Sequence, residues 1–189
     1  TEEDDTLQSV QFASVLDLIS EGEIEGLDNG EKSVFLDNTP VENPQGRDNY
    51  EGFTVVTRNG TQDQTHIGGD FGATERESAV NVEVVKATPV TRSITDSDVD
   101  RVRVTLTIPS LQKVEDDGDI VGHRVKINIQ VQYNSGGFNT VIEDTIKGKS
   151  RGSYQRDYLV SLNGSFPVDI RVNRVSEDET SNKRSSSTI

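Results

Sequence analysis

Hydrophobic and polar residues follow two different periods along this chain. Phe12, Val15, Leu16 and Ile19 fall at i, i+3, i+4 and i+7, the spacing of one helical face. Ser14 and Asp17 lie off that stripe. The pattern predicts a short amphipathic helix over residues 10–20, ended by Gly22, which can take the left-handed backbone of a helix C-terminus. From residue 101 the period becomes two: Val102, Val104, Leu106 and Ile108 share one face. Residues 124–133 give the clearest case. Val125, Ile127, Ile129, Val131 and Tyr133 point one way; Arg124, Lys126, Asn128, Gln130 and Gln132 point the other. Such alternation predicts one buried and one wet face, as in an antiparallel sheet. Asn134-Ser135-Gly136-Gly137 turns the chain and 140–146 returns as a hairpin. Residues 154–162 and 168–175 add two more strands.

Before residue 88 the strand signals are weaker. Short strands are predicted at 33–37, 52–58 and 79–86. Pro40 stops the first, because proline cannot donate to a ladder. Asn59-Gly60 is a hairpin-type turn. Residues 61–78 are polar, with Gly68, Gly69 and Gly72, and read as a long loop of the kind that carries function or makes an interface. The expected organisation follows. Residues 1–9 form a flexible acidic tail. Residues 10–87 form a lobe of one helix and three strands, incomplete alone because its strand edges stay open. Residues 88–176 form an antiparallel β-sandwich, immunoglobulin- or fibronectin-like. Residues 177–189 form a linker to later domains. The fold class is mainly β.

Composition narrows the function. The 189 residues allow one or two domains. With no cysteine, disulfides and thiolate metal sites are excluded. The chain starts at Thr1 and holds no methionine, so the expectation is a piece of a longer protein. No apolar run approaches the roughly 20 residues of a membrane span. The net charge of −14 is uneven: residues 1–60 carry 14 acidic and 3 basic side chains, the remainder 19 and 16. Such a surface repels a phosphate backbone, which argues against nucleic-acid binding. It suits solubility, or an acidic face meeting a basic partner.

Candidate chemistry is sparse. His66 and His123 are far apart with no His or Cys beside them, which does not make a zinc site. Asp96, Asp98 and Asp100 alternate in a short loop and are candidate calcium ligands, as is the polar connection Asp116-Asp117-Gly118-Asp119. Neither has the glycine and glutamate positions of an EF-hand loop, and both also read as solvated turns. A glycosidase would need a carboxyl in an apolar pocket, and no Gly-x-Ser-x-Gly elbow is present. The chain is therefore expected not to be an enzyme and to need no cofactor. Lys147, Lys149 and Arg151 form a basic run without Walker spacing. It reads as a basic turn, or as a docking patch for an acidic neighbour such as the 1–60 face of another copy.

The sequence ISEGEIEGL, followed by KSVFLDNTPV and GFTVVTRNGTQDQ, resembles the N-terminal part of the tail tip attachment proteins of lambda-like siphophages, also called host-specificity proteins. The similarity continues through Thr88-Pro89-Val90-Thr91-Arg92, Asp100-Arg101-Val102-Arg103-Val104, Thr145-Ile146-Lys147-Gly148-Lys149-Ser150 and Asp169-Ile170-Arg171-Val172. It implies the N-terminal part of a central tail hub in a virion, at the distal end of the tail. It also implies a homotrimer that binds neighbouring tail tip proteins and the tape measure protein, with receptor recognition left to a C-terminal region outside this chain. Phe12, Val15, Leu16 and Ile19, the acidic exit Glu21, Glu23 and Glu25, and the basic Lys147, Lys149 and Arg151 would then be assembly surfaces. The alternative is a cell-surface or carbohydrate-binding β-sandwich adhesin module.

Overall fold

The computed structural model describes residues 1–68, 71, 75–179 and 183–185. The chain divides into two compact units, one of Thr1–Gln11 with Ser78–Ile189 and one of Phe12–Glu77. In the smaller unit, a 3-10 turn at Gly30–Ser33 precedes strands β1 (Phe35–Leu36) and β2 (Thr39–Pro40). The larger unit holds β3 (Val90–Ile94), β4 (Arg101–Ile108), β5 (Leu111–Val114), β6 (Ile120–Val121) and β7 (His123–Tyr133). It continues with β8 (Asn139–Gly148), β9 (Tyr154–Ser161), β10 (Val168–Arg174) and β11 (Lys183–Ser185).

The larger unit is an antiparallel β-sandwich. One sheet has the order β3-β10-β7-β8, and the β4-β9 pair supplies further strands to the same core. A third sheet, β11-β5-β6, lies in the same unit. Register follows the alternation in the sequence: Val131 pairs with Ile170 and Ile129 with Val172. Val125 pairs with Ile146, and Val104 with Tyr158. Val125, Ile127, Ile129 and Val131 are at most 1% exposed. Burying each such side chain contributes about 1.5–3 kcal/mol relative to leaving it in water. The ladder shifts between Ile129 and Gln130, so that Ile129 faces Ile142 while Gln130 faces Thr140. Val141 is the residue left over, a β-bulge, and it is half exposed.

The smaller unit is built on turns. Asp37 and Asn38 both have positive φ, 47° and 63°, as the two-residue turn of a tight hairpin requires. Pro40 does not stop a strand here. It sits in β2, opposite Phe35, in a two-stranded ribbon that leaves an edge where a missing N–H does no harm. Val41 is buried; its N–H donates to the Val34 carbonyl, and its own carbonyl accepts the Asn49 N–H, each at 2.8 Å.

Several expectations are corrected. The helix over 10–20 does not form: those residues have no helical backbone, and the 3-10 turn Gly30–Ser33 comes only after them. An isolated helix this short is marginal in water, since roughly 12–15 residues are needed even with good formers. Its apolar residues find no cover: Phe12 is 89% exposed and Ile19 68%. Residues 52–58 form no strand, and 79–86 give isolated bridge positions at Glu83 and Val85, the latter paired with Thr88, in place of a strand. Val84 is nevertheless fully buried in the sandwich core. The larger unit accordingly begins at Ser78, ten residues before the boundary drawn from the strand rhythm. Of the expected linker 177–189, residues 183–185 pair with β5; 180–182 and 186–189 lie outside the described residues. So do Gly69 and Gly72 of the expected long loop.

Candidate assembly surfaces

The acidic N-terminal segment is a strap on the sandwich and not a free tail. Its backbone adds to the outer edge of β6. Glu2 bridges Ile120 in parallel, and the Glu3 N–H donates to the Ile120 carbonyl at 3.0 Å. The Gly122 N–H donates to Glu3 Oε2 at 2.7 Å. Further along, the N–H groups of Thr6 and Leu7 both donate to the Lys149 carbonyl, at 2.9 and 3.0 Å. Lys149 returns its own N–H to Thr6 Oγ1 at 2.9 Å. Leu7 packs against the core, and Ser9 Oγ accepts the Gln155 N–H at 2.9 Å.

Under this strap lies Lys149, fully buried. Its ammonium is 2.7 Å from Glu2 Oε1 and 3.9 Å from Asp5 Oδ1, and it also donates to the Glu3 carbonyl. A lone buried ammonium costs several kcal/mol, so the strap's carboxylates and carbonyl make its position tenable. Arg151, more exposed, sits 3.4 Å from Glu2 and 3.3 Å from Asp5. The hydrogen bond from Lys149 holds the Glu2 carboxyl below the usual carboxylate range. It outweighs the desolvation that pushes the other way, and the charges of Lys149 and Arg151 reinforce it. Gly148 is fitted to the strap. Its φ is +149°, and a Cβ there would lie 2.7 Å from Thr6 Oγ1 and 2.8 Å from Leu7 Cγ.

The structure distributes the other candidate residues as follows. Lys147 is exposed on β8, where it pairs in register with Arg124. Phe12, Val15, Leu16 and Ile19 belong to the smaller unit and lie in water, joined by Leu18 at 91% exposure. Glu21, Glu23 and Glu25 are exposed too, but the backbone between them is pinned. The Ile24 N–H donates to the Asn59 carbonyl at 2.9 Å, and Asn59 Nδ2 reaches the Glu25 carbonyl at 3.4 Å. Gly60, at φ +86°, approaches so closely that a Cβ would lie 3.3 Å from Glu23 Cα and from the Gly22 carbonyl oxygen. The exit segment and the Asn59-Gly60 turn therefore interlock. This gives a packing reason for glycine at position 60.

Asp96, Asp98 and Asp100 do not converge. Asp96 Oδ1 accepts the Asp98 N–H at 3.1 Å, an Asx turn, and the Asp100 side chain is 88% exposed beside Arg101. In the second acidic cluster, Asp117 Oδ1 accepts the Asp119 N–H at 3.0 Å, inside the turn between β5 and β6. No group of three His, Cys, Asp or Glu poised for a metal occurs among the described residues. His123 opens β7 and does not sit in a loop. Its Nε2 lies 3.2 Å from Glu179. Glu179 also pairs with Arg174, a buried cation on β10 that donates to the Glu177 carbonyl at 3.0 Å. This network tacks residues 177–179 to the sandwich. The strap and the Arg174 network are what the residue pattern did not reveal: both join charges distant in sequence, and no periodicity marks such a pairing.

The comparisons with known proteins agree on one family. A family model described as the FNIII-A domain of tip attachment protein J matches residues 74–189. Two curated relatives, each named Tip attachment protein J, come from Escherichia phages SECphi4 and SECphi27. They are each 36% identical, over 184 and 183 residues, covering 95% and 96% of this chain. The chain spans only 16% and 15% of their respective lengths. The sandwich is thus of the fibronectin type III kind, and its start near Ser78 agrees with the matched span. The chain belongs to the tip attachment protein J family, structural proteins of the bacteriophage tail.

Proposed function

We propose that this chain forms the N-terminal part of the central tail hub, at the distal end of the tail. There it would assemble as a homotrimer and bind the neighbouring tail tip proteins and the end of the tape measure protein. Its role is structural and not catalytic. Receptor choice belongs to the region beyond this chain, while this part builds the tip that rearranges for genome delivery. Family membership supports the setting. The observation that carries an assembly role is the uncovered apolar stretch: Val10, Phe12, Val15, Leu18 and Ile19 are between 68% and 91% exposed. Single exposed hydrophobics are ordinary, but a contiguous group marks an interaction surface.

The test is a phage whose tip protein carries Phe12→Asp and Leu18→Asp together. Expected are particles that lack a complete tail tip and do not infect, while the purified chain with the same changes keeps its melting temperature. Normal tails and normal infectivity from the double variant would overturn the proposal.

A further inference from the structure

The strap is held by chemistry that any copy of this chain can supply. The fit consists of two carboxylates on Lys149 and Arg151, one leucine against the core, and hydrogen bonds to the backbone of Ile120, Gly122 and Lys149. Nothing covalent near the site ties the segment to its own sandwich. After Gln11 the chain enters a different compact unit and returns to the sandwich only at Ser78. Residues 12–20 form no regular structure and are exposed throughout. An element joined to its body through a long, separately packed excursion exchanges between identical copies at low cost, because every bond broken in one copy is remade in the other. Without a strap, Lys149 would lose the two carboxylates and the Glu3 carbonyl that its ammonium now meets, so the site favours being filled by some acidic segment.

We propose that the turn 147–151 and the outer edge of β6 form a capture site for an acidic, extended segment, and that in the assembled protein this segment is residues 1–9 of a second copy of this chain. Lys149 fixes the segment's identity by requiring carboxylates at positions 2 and 5. Gly148 admits its backbone. Each copy then both gives and receives a strap, which links copies edge to edge.

The natural contact between Glu2 and Lys149 provides the test. Light and nitrogen-15-labelled full chains are mixed, unfolded in urea, refolded together and treated with a carbodiimide, which joins a carboxylate directly to a touching amine. Mass spectrometry then reads the isotope of each half of the cross-linked Glu2–Lys149 peptide pair. Exchange predicts as many mixed pairs as same-isotope pairs. Same-isotope pairs alone, or no Glu2–Lys149 cross-link, would overturn the proposal. In a second arm on the unmixed chain, Lys149→Met should speed hydrogen exchange at Thr6, Leu7 and Gly122 by at least about tenfold and leave Val131 unchanged. Unchanged exchange at the strap would remove Lys149 as its anchor. Neither arm involves other tail proteins, so failure here leaves the hub role to its own test.

Discussion

The two units of this chain draw on similar hydrophobic residues and use them in opposite ways. Among the described residues, the sandwich unit buries eighteen of them in one cluster, whereas the unit Phe12–Glu77 adds only Val41 to the buried set. Valine, leucine, isoleucine and phenylalanine occur in both. What separates them is the presence of a second face. In the sandwich, β7 places its inward residues against neighbours on both sides in register and against β4 and β9 across the core. In residues 10–19 the same kinds of side chain have nothing across from them and remain in water. A hydrophobic pattern states a demand for burial, and only an opposing surface can meet it. The smaller unit keeps its shape through turns and backbone hydrogen bonds, which hold a path without building a core.

The contrast is broken most directly by truncating one residue of each kind. Ile127→Ala in the sandwich is expected to cost about 2–5 kcal/mol, seen as a lower urea midpoint, since Ile127 is wholly buried. Leu18→Ala is expected to stay within about 0.5 kcal/mol. A comparable loss at Leu18 would mean that residues 10–19 are packed within the isolated chain, and the distinction would fall.

Gly148→Ala probes the join between strap and sandwich. The new Cβ would press on Thr6 and Leu7 at a φ that suits glycine, so a loss of about 1–3 kcal/mol is expected. It should appear first as faster amide exchange at Thr6 and Leu7, with β7 and β10 still protected. Uniform loosening of the sandwich would show that the turn matters to the core itself.

Two titrations refine the contrast further. Burial, then the 2.7 Å hydrogen bond to Asp144, pushes the Tyr158 hydroxyl well above its ordinary value. Its contribution is complete below the unfolded tyrosine value of about 10 and is lost as pH rises beyond that. Melting temperatures taken from pH 9 upward should therefore fall more steeply for the natural chain than for Tyr158→Phe. Parallel curves would contradict this. Glu2 titrates with the opposite sign. Its carboxyl is held low by Lys149, so its contribution is present above the usual glutamate value of about 4.3 and is lost as pH falls through the lowered one. Asp5, Lys149 and Arg151 are the other charges facing it. Below about pH 4, exchange at Leu7 should rise before exchange at Val131; simultaneous loss would show that the strap has no independent stability.

Legibility in the sequence followed the range of the interactions. Strands β4, β7, β8, β9 and β10 were readable within a residue or two, because a period of two records a local fact: successive side chains face opposite sides. The helix over 10–20 carried an equally clear period and did not form, because a helix that short depends on packing and the described residues supply none. Strand β3 at Val90–Ile94 and the short β5 and β6 are too brief or too irregular to announce themselves. The acidic segment 1–9 looked free because nothing in its own residues shows that Lys149, some 140 positions later, is buried and waiting for carboxylates.

Residue order alone dictates the mainly β character of the larger unit, the faces of its long strands, the acidic balance and the family to which the chain belongs. Only the folded arrangement selects which hydrophobics become core and which stay uncovered, where the larger unit begins, and that the acidic start lies along a basic turn. The physical reason is common to all three. Alternation and turn chemistry act between residues a few positions apart, whereas burial and ion pairing depend on which distant surfaces the completed sheets bring together.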